Sequence, residues 1–185
     1  MSLSNNERVV KDLSDRGTWE QHFWRWNWAK SKIKEGGNLL VAACGYGYEI
    51  PIYQEGKPSE ILAVDKAEPI KYASKEFKGQ AKFLTEDLET CKKLSKYTDQ
   101  FDLIVSFETI EHLLHPEIYL ETAKNALKVG GFFIGSVPLN VTADPVVYTE
   151  EGQVRELLTK YLGANVTFGL QLDTFVLFEY TKETQ

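Results

Sequence analysis

Cysteine is scarce in this sequence. Two thiols in 185 residues, Cys44 and Cys91, are too few for a disulfide framework. One lies in an apolar stretch and the other in a helix-like one, so both read as reduced thiols of a cytoplasmic protein. No run approaches the roughly 18 consecutive apolar residues of a membrane span, and Met1–Arg8 lack the apolar core of a signal peptide. Basic excess is missing too: 21 Lys and Arg face 27 Asp and Glu, a formal charge of -6. A chain that grips nucleic acid through its phosphates carries a basic face. The acidic balance therefore argues against nucleic acid and for a small-molecule, sugar or protein partner. No repeat, linker or low-complexity tract divides the chain. One domain over residues 18–185 is expected, after a loose polar segment at 1–17.

What is present is a globular mixture, 43% hydrophobic and 26% charged. Short apolar runs at 38–44, 60–64, 81–84, 101–107 and 132–137 read as buried strands. Helical stretches are expected between them at about 48–53, 69–77, 89–97 and 116–127, the last opened by Pro116 and closed by Gly130-Gly131. Strands alternating with helices make a parallel sheet with helices on both faces, a Rossmann-like doubly wound α/β fold. The tail differs. A helix over 149–161 precedes apolar segments 164–170 and 174–180, whose short connection Gln171-Leu172-Asp173 suits an antiparallel hairpin. A seven-stranded, mostly parallel sheet is the result. Ahead of it, residues 18–34 have helical spacing in Trp19, Phe23, Trp26 and Lys30. Trp24, Trp26 and Trp28 cannot share one helix face, because steps of two point apart. At least one should face a cleft, a partner or solvent, which leaves room for a homo-oligomer.

The first strand runs into Gly45-Tyr46-Gly47. A strand that ends in Gly-x-Gly and enters a helix lets backbone approach a ligand closely. A dinucleotide site would want a third glycine at the position of Ile50, under the pyrophosphate. Its absence speaks against NAD or FAD and suits a nucleoside without phosphates. Twenty residues after Gly45, Asp65 ends the second strand, where a carboxylate can accept from ribose hydroxyls. Asp87 follows the third strand and can accept from an adenine amino group, or cap the segment from Leu88 onward. One oxygen for each is compatible with both.

Ala43-Cys44-Gly45-Tyr46-Gly47-Tyr48 resembles the first motif of the class I S-adenosylmethionine-dependent methyltransferases. Three later stretches resemble their ubiquinone-type O-methyltransferase and glycan-associated branch. These are Phe101-Asp102-Leu103-Ile104-Val105-Ser106-Phe107-Glu108-Thr109-Ile110-Glu111-His112-Leu113, Leu127-Lys128-Val129-Gly130-Gly131 and Ser136-Val137-Pro138-Leu139-Asn140. His22-Phe23-Trp24-Arg25-Trp26-Asn27-Trp28-Ala29 resembles the lead-in of the same branch. The resemblance implies S-adenosylmethionine as cofactor and methyl transfer to oxygen or nitrogen of a small-molecule or glycan acceptor. It implies that Ala43, Cys44, Gly45 and Gly47 line the methionine portion, Asp65 with Lys66 the ribose, Asp87 with Leu88 the adenine, and Phe107 the transferred methyl. Arg25 would pair with the cofactor carboxylate; its other reading is an exposed helix charge. His112 is the candidate general base, oriented by Glu111. Glu108-x-x-Glu111-His112 also resembles a metal motif of ubiquinone-pathway and small-RNA 3′-end methyltransferases, implying a divalent ion on Glu108, Glu111 and His112. The motif departs from the family at Val41, where an acid often helps hold the cofactor's amino group, and at Ala43, which replaces a glycine. A methyltransferase-fold module without catalysis is the alternative these departures leave open. The short connection from Pro138 to Tyr148 implies an open acceptor site.

Overall fold

The computed structural model describes residues 16–184. Its centre is one seven-stranded sheet. Strands β1 (Asn38–Ala42), β2 (Glu60–Asp65), β3 (Lys82–Thr85), β4 (Phe101–Phe107) and β5 (Leu127–Pro138) pair in parallel. Strands β6 (Val166–Gln171) and β7 (Phe175–Thr181) close it as an antiparallel hairpin, β7 lying between β5 and β6. The order β3-β2-β1-β4-β5-β7-β6 is the expected doubly wound arrangement. It reverses between β1 and β4, and a crevice opens there at the carboxyl ends of both strands.

Alternation along the strands builds two cores. Leu39 and Val41 join Ile61, Ala63, Leu103 and Val105 beneath α1 (Arg16–Lys32), α2 (Ile50–Gln54) and α3 (Ala67–Glu76). Leu40 and Ala42 face the other way, with Leu62, Val64 and Ile104, against α4 (Pro116–Ala126) and α5 (Glu151–Leu162). Each fully buried Leu, Ile or Val side chain contributes on the order of 1.5–3 kcal/mol. That burial on both faces explains why these strands read as continuous apolar runs. Among the described residues no helix is long and apolar enough to cross a membrane.

Four expectations need correction. The loose segment at 1–17 lies largely outside the described residues, but Arg16 and Gly17 already belong to α1. The helix expected at 89–97 is instead a series of turns with one 3-10 turn at Leu94–Lys96. Glu86 is the cause. Its carboxylate accepts the backbone N–H groups of Asp87, Lys93 and Leu94, and folds the segment back on itself. The strand expected at 132–137 begins earlier, at Leu127. The chain bulges between the pairs Phe101–Leu127 and Leu103–Phe132, with Gly130 at φ +76° supplying the left-handed turn. The buried stripe of α1 is also not the one its aromatics suggested. Arg25, Trp26 and Ala29 are buried, whereas Phe23 and Trp24 stand about half exposed. As the step-of-two argument required, one tryptophan faces outward.

Within the sheet, Gly135 of β5 leaves no room for a side chain between its neighbours β4 and β7. A Cβ there would strike the Ser106 carbonyl oxygen and the Phe178 ring. Gly135→Ala should lower unfolding free energy by roughly 2–3 kcal/mol, read as a lower urea midpoint. Gly152→Ala, where a Cβ meets nothing within 4 Å, should move it by less than about 1 kcal/mol.

Candidate active site

A cavity of about 720 Å³ occupies the crevice. It is floored by the bend after β1. There Ala43, Gly45 and Gly47 take φ of 56°, 53° and 81°. Ala43 holds a left-handed conformation that costs an L-residue about 1–2 kcal/mol. Gly47 is needed for space as well as for φ, since a Cβ would press on Phe77 and Ala73 at 3.1 and 3.2 Å. The bend is tied to its neighbours by backbone. Cys44 N–H donates to Val64 O (3.0 Å), and Gly47 N–H to Cys44 O (2.9 Å). Asp65 supplies the remaining tie. Its Oδ2 accepts Gly45 N–H at 2.7 Å and its Oδ1 accepts Lys66 N–H at 2.6 Å. The bend after β1 and the carboxylate ending β2 therefore face one another.

Around this floor the fold gathers nearly every expected residue. Ala43, Cys44, Gly45, Gly47, Asp65, Lys66, Asp87, Leu88, Phe107, Glu108, Glu111 and His112 all line the cavity. Asp87 is exposed and caps no helix, since none begins there; its Oδ1 accepts Glu89 N–H at 3.1 Å and holds a local turn instead. Arg25 is not among the lining residues and is not a surface charge either: its exposure is 0%. Its Nη1 donates to Gln171 Oε1 at 2.7 Å, its Nη2 to Glu108, and its guanidinium lies 4.5 Å over the Phe175 ring. Pairing it with a cofactor carboxylate is therefore not what this geometry supports.

The metal set is corrected as well. Glu108 is committed to Arg25 and to His22 Nε2, 3.1 Å away. Glu111 is buried, and its Oε1 lies 4.0 Å from His112 Nε2. Among the described residues no three His, Cys, Asp or Glu side chains converge as a metal centre. The carboxylate spacing of the motif was right for a shared face, but the arginine one turn along α1 takes the first ligand away.

Sequence reasoning missed four contributors. His22 was quoted in the lead-in motif without a role, although its spacing of three from Arg25 places both on one helix face. Asp144 comes from the loop after β5 and puts Oδ1 3.7 Å from His112 Nδ1; nothing local in the sequence announces it. Glu49 and Tyr53 line the cavity from α2. Glu49 directly follows the glycine bend, which was the available signal. It is 6% exposed, and burial pushes its carboxyl up to about 8, helped by Asp65 nearby. Burial also holds Glu111 well above the carboxylate range, and its Oε2 has no hydrogen-bond partner. Desolvation keeps His22 neutral, lowering it to about 3.

These buried acids set a pH dependence. An unfolded glutamate releases its proton near 4.5, whereas folded Glu49 keeps it to about 8. Folding therefore takes up a proton in that window. The stability gained is whole below pH 4.5 and is lost as pH rises toward 8. Glu49→Gln should flatten part of that decline, leaving the variant more stable than the parent at pH 8 by a few kcal/mol in order of magnitude, measured by urea denaturation across the range.

A family model described as a methyltransferase domain matches residues 20–169. No curated protein matched the sequence. Solved structures share the fold at low identity. A TehB-like S-adenosylmethionine-dependent methyltransferase from Corynebacterium glutamicum is 19% identical, with 91% of this chain and 100% of that chain covered and a TM-score of 0.66. The PH0226 protein from Pyrococcus horikoshii is 17% identical, with 93% and 94% covered and a TM-score of 0.71. The [4+2]-cyclase SpnF is 12% identical, with 98% and 86% covered and a TM-score of 0.72. With the family model spanning the glycine bend, Asp65 and the strands that build the cavity, this chain belongs to the methyltransferase domain family, as a class I S-adenosylmethionine-dependent enzyme.

Proposed function

We propose that the chain moves a methyl group from S-adenosylmethionine to an oxygen or nitrogen of a small-molecule or glycan acceptor, with His112 taking the acceptor's proton. The carrying observation is the 2.7 Å bond from Gly45 N–H to Asp65, which places bend and carboxylate on one side of a single cavity. The residues present fit the cofactor. The bend leaves backbone partly uncovered at Gly45, with Gly47 buried beside it at the cavity wall. Asp65 accepts one backbone N–H at each oxygen at the cavity floor, the place from which a carboxylate can also accept from ribose hydroxyls. Asp87 and Leu88 stand where an adenine ring would lie, and Phe107 closes the end of β4. When bound, S-adenosylmethionine supplies a methyl on positively charged sulfur, so the protein's task is positioning and exclusion of water.

His112 is partly exposed at the cavity and flanked by Asp144 Oδ1 at 3.7 Å and Glu111 Oε1 at 4.0 Å. The Asp144 carboxylate can steady an imidazole that accepts a proton, while Glu111, whose own proton burial retains, walls its other side. The loop carrying Asp144 is pinned beside it: Val146 N–H donates to Glu111 O at 3.0 Å, and Asn140 N–H to Tyr148 O at 2.7 Å. The sequence resemblance to the ubiquinone-type and glycan-associated branch supports a hydroxyl or amine acceptor. The short loop after β5 supports one that is large or polymeric.

Calorimetry should show binding of S-adenosylhomocysteine and none of NAD. Asp65→Ala should weaken that binding by about 10- to 100-fold, the worth of one or two charge-assisted hydrogen bonds. Labelled S-adenosylmethionine incubated with extract fractions should identify an acceptor. Against it, His112→Ala should cut turnover by roughly 10²–10⁴-fold while leaving the affinity for S-adenosylhomocysteine unchanged. A purified, folded chain that ignores S-adenosylhomocysteine would overturn the reading.

A further inference from the structure

Glu49 has no place in the scheme above, yet it is a deeply buried carboxylate lining the cavity. It sits at the entry to α2, immediately after the bend, with Val41 and Tyr53 in the same wall. β1 offers no acid on that face, since Val41 is apolar. The cation that α1 brings to this region is turned elsewhere: Arg25 meets Glu108. The neighbouring carboxylate, Asp65, adds like charge, and Tyr53, in the next turn of the same helix, has a buried hydroxyl with no hydrogen-bond partner. Without a cation a carboxyl in such surroundings keeps its proton, and a cation that meets it lets it ionise. At 6% exposure little of Glu49 reaches solvent except through the cavity it lines. The site therefore suits a compact cation entering from the cavity.

We propose that Glu49 binds the α-ammonium group of the cofactor's methionine end, an anchor supplied from the helix rather than from the strand. This rests on the cofactor reading above. That molecule carries two positive centres. The sulfonium must stay open to the acceptor for its methyl to leave, so a buried carboxylate serves the other. Asp65 is occupied with the bend and stands next along the same floor, which leaves Glu49 for the amino-acid end. Anchoring the ammonium fixes the chain that leads to sulfur, and so sets where the methyl points.

Two probes separate this role from a structural one. S-adenosylhomocysteine carries the ammonium; 5′-methylthioadenosine keeps the adenosine and the sulfur but has no amino-acid end. By calorimetry at pH 7.5 or thereabouts, Glu49→Gln should bind S-adenosylhomocysteine about 10- to 100-fold more weakly than the parent. It should bind 5′-methylthioadenosine unchanged, which also shows that the variant is folded. Equal or tighter binding of S-adenosylhomocysteine by Glu49→Gln overturns the proposal. So does an equal loss for both probes, which would make Glu49 a part of the cavity's shape. A parent chain that binds neither probe instead removes the cofactor reading itself.

Discussion

One short hydrogen bond, from Gly45 N–H to the Asp65 carboxylate, holds the functional end of this molecule together. It joins the loop leaving β1 to the last residue of β2, two segments twenty residues apart that the parallel ladder has already brought side by side. The ladder alone would leave the bend free to collapse, because glycine loses more entropy on ordering than any other residue. A charged acceptor aimed at its N–H makes the bond stronger than a neutral one. The strained Ala43 is tolerated because this bond and the Cys44 N–H bond to β2 define the backbone on its C-terminal side. Everything the cavity can bind is measured from that bend.

The second organising feature is a set of charges withdrawn from water. Arg25, Glu108, Gln171 and His22 form one group that ties α1 to the end of β4 and to the β6–β7 hairpin. Its Arg25–Glu108 ion pair is met within the group, although Arg25 Nε has no partner, and it reads as architecture that closes one wall of the cavity. Glu49 and Glu111 are different. Both are buried carboxyls whose protons are retained by desolvation, and both lie where a ligand enters. In a low-dielectric wall a paired charge is already settled, whereas a carboxyl that keeps its proton can still ionise when a cation arrives. That is the reason the first group serves the fold and the second is suited to meet a ligand.

Much of this was legible in the chain itself. Apolar runs at 38–44, 60–64 and 101–107 announced strands because both of their faces are covered, and Gly45-Tyr46-Gly47 with Asp65 announced a nucleoside floor because spacing along a βαβ unit converts directly into proximity. The failures have equally specific causes. The segment after Asp87 has helical composition, but the Glu86 carboxylate captures its N–H groups and turns override propensity. Glu108, Glu111 and His112 have ligand chemistry and ligand spacing, but Arg25 arrives from a helix eighty residues earlier. Asp144 reaches His112 from a loop with no signature at all.

Local patterns therefore determined the elements, their parallel order, the place of the bend and the residues along its rim, since each depends on periodicity or on neighbours within one strand-helix unit. Only the tertiary structure decided which of those residues keep a free charge. Whether Arg25 points to solvent or to Glu108, and whether Glu49 meets a cation or none, depends on partners drawn from distant elements. The cost of leaving a charge without one is set by burial, which no stretch of sequence carries on its own.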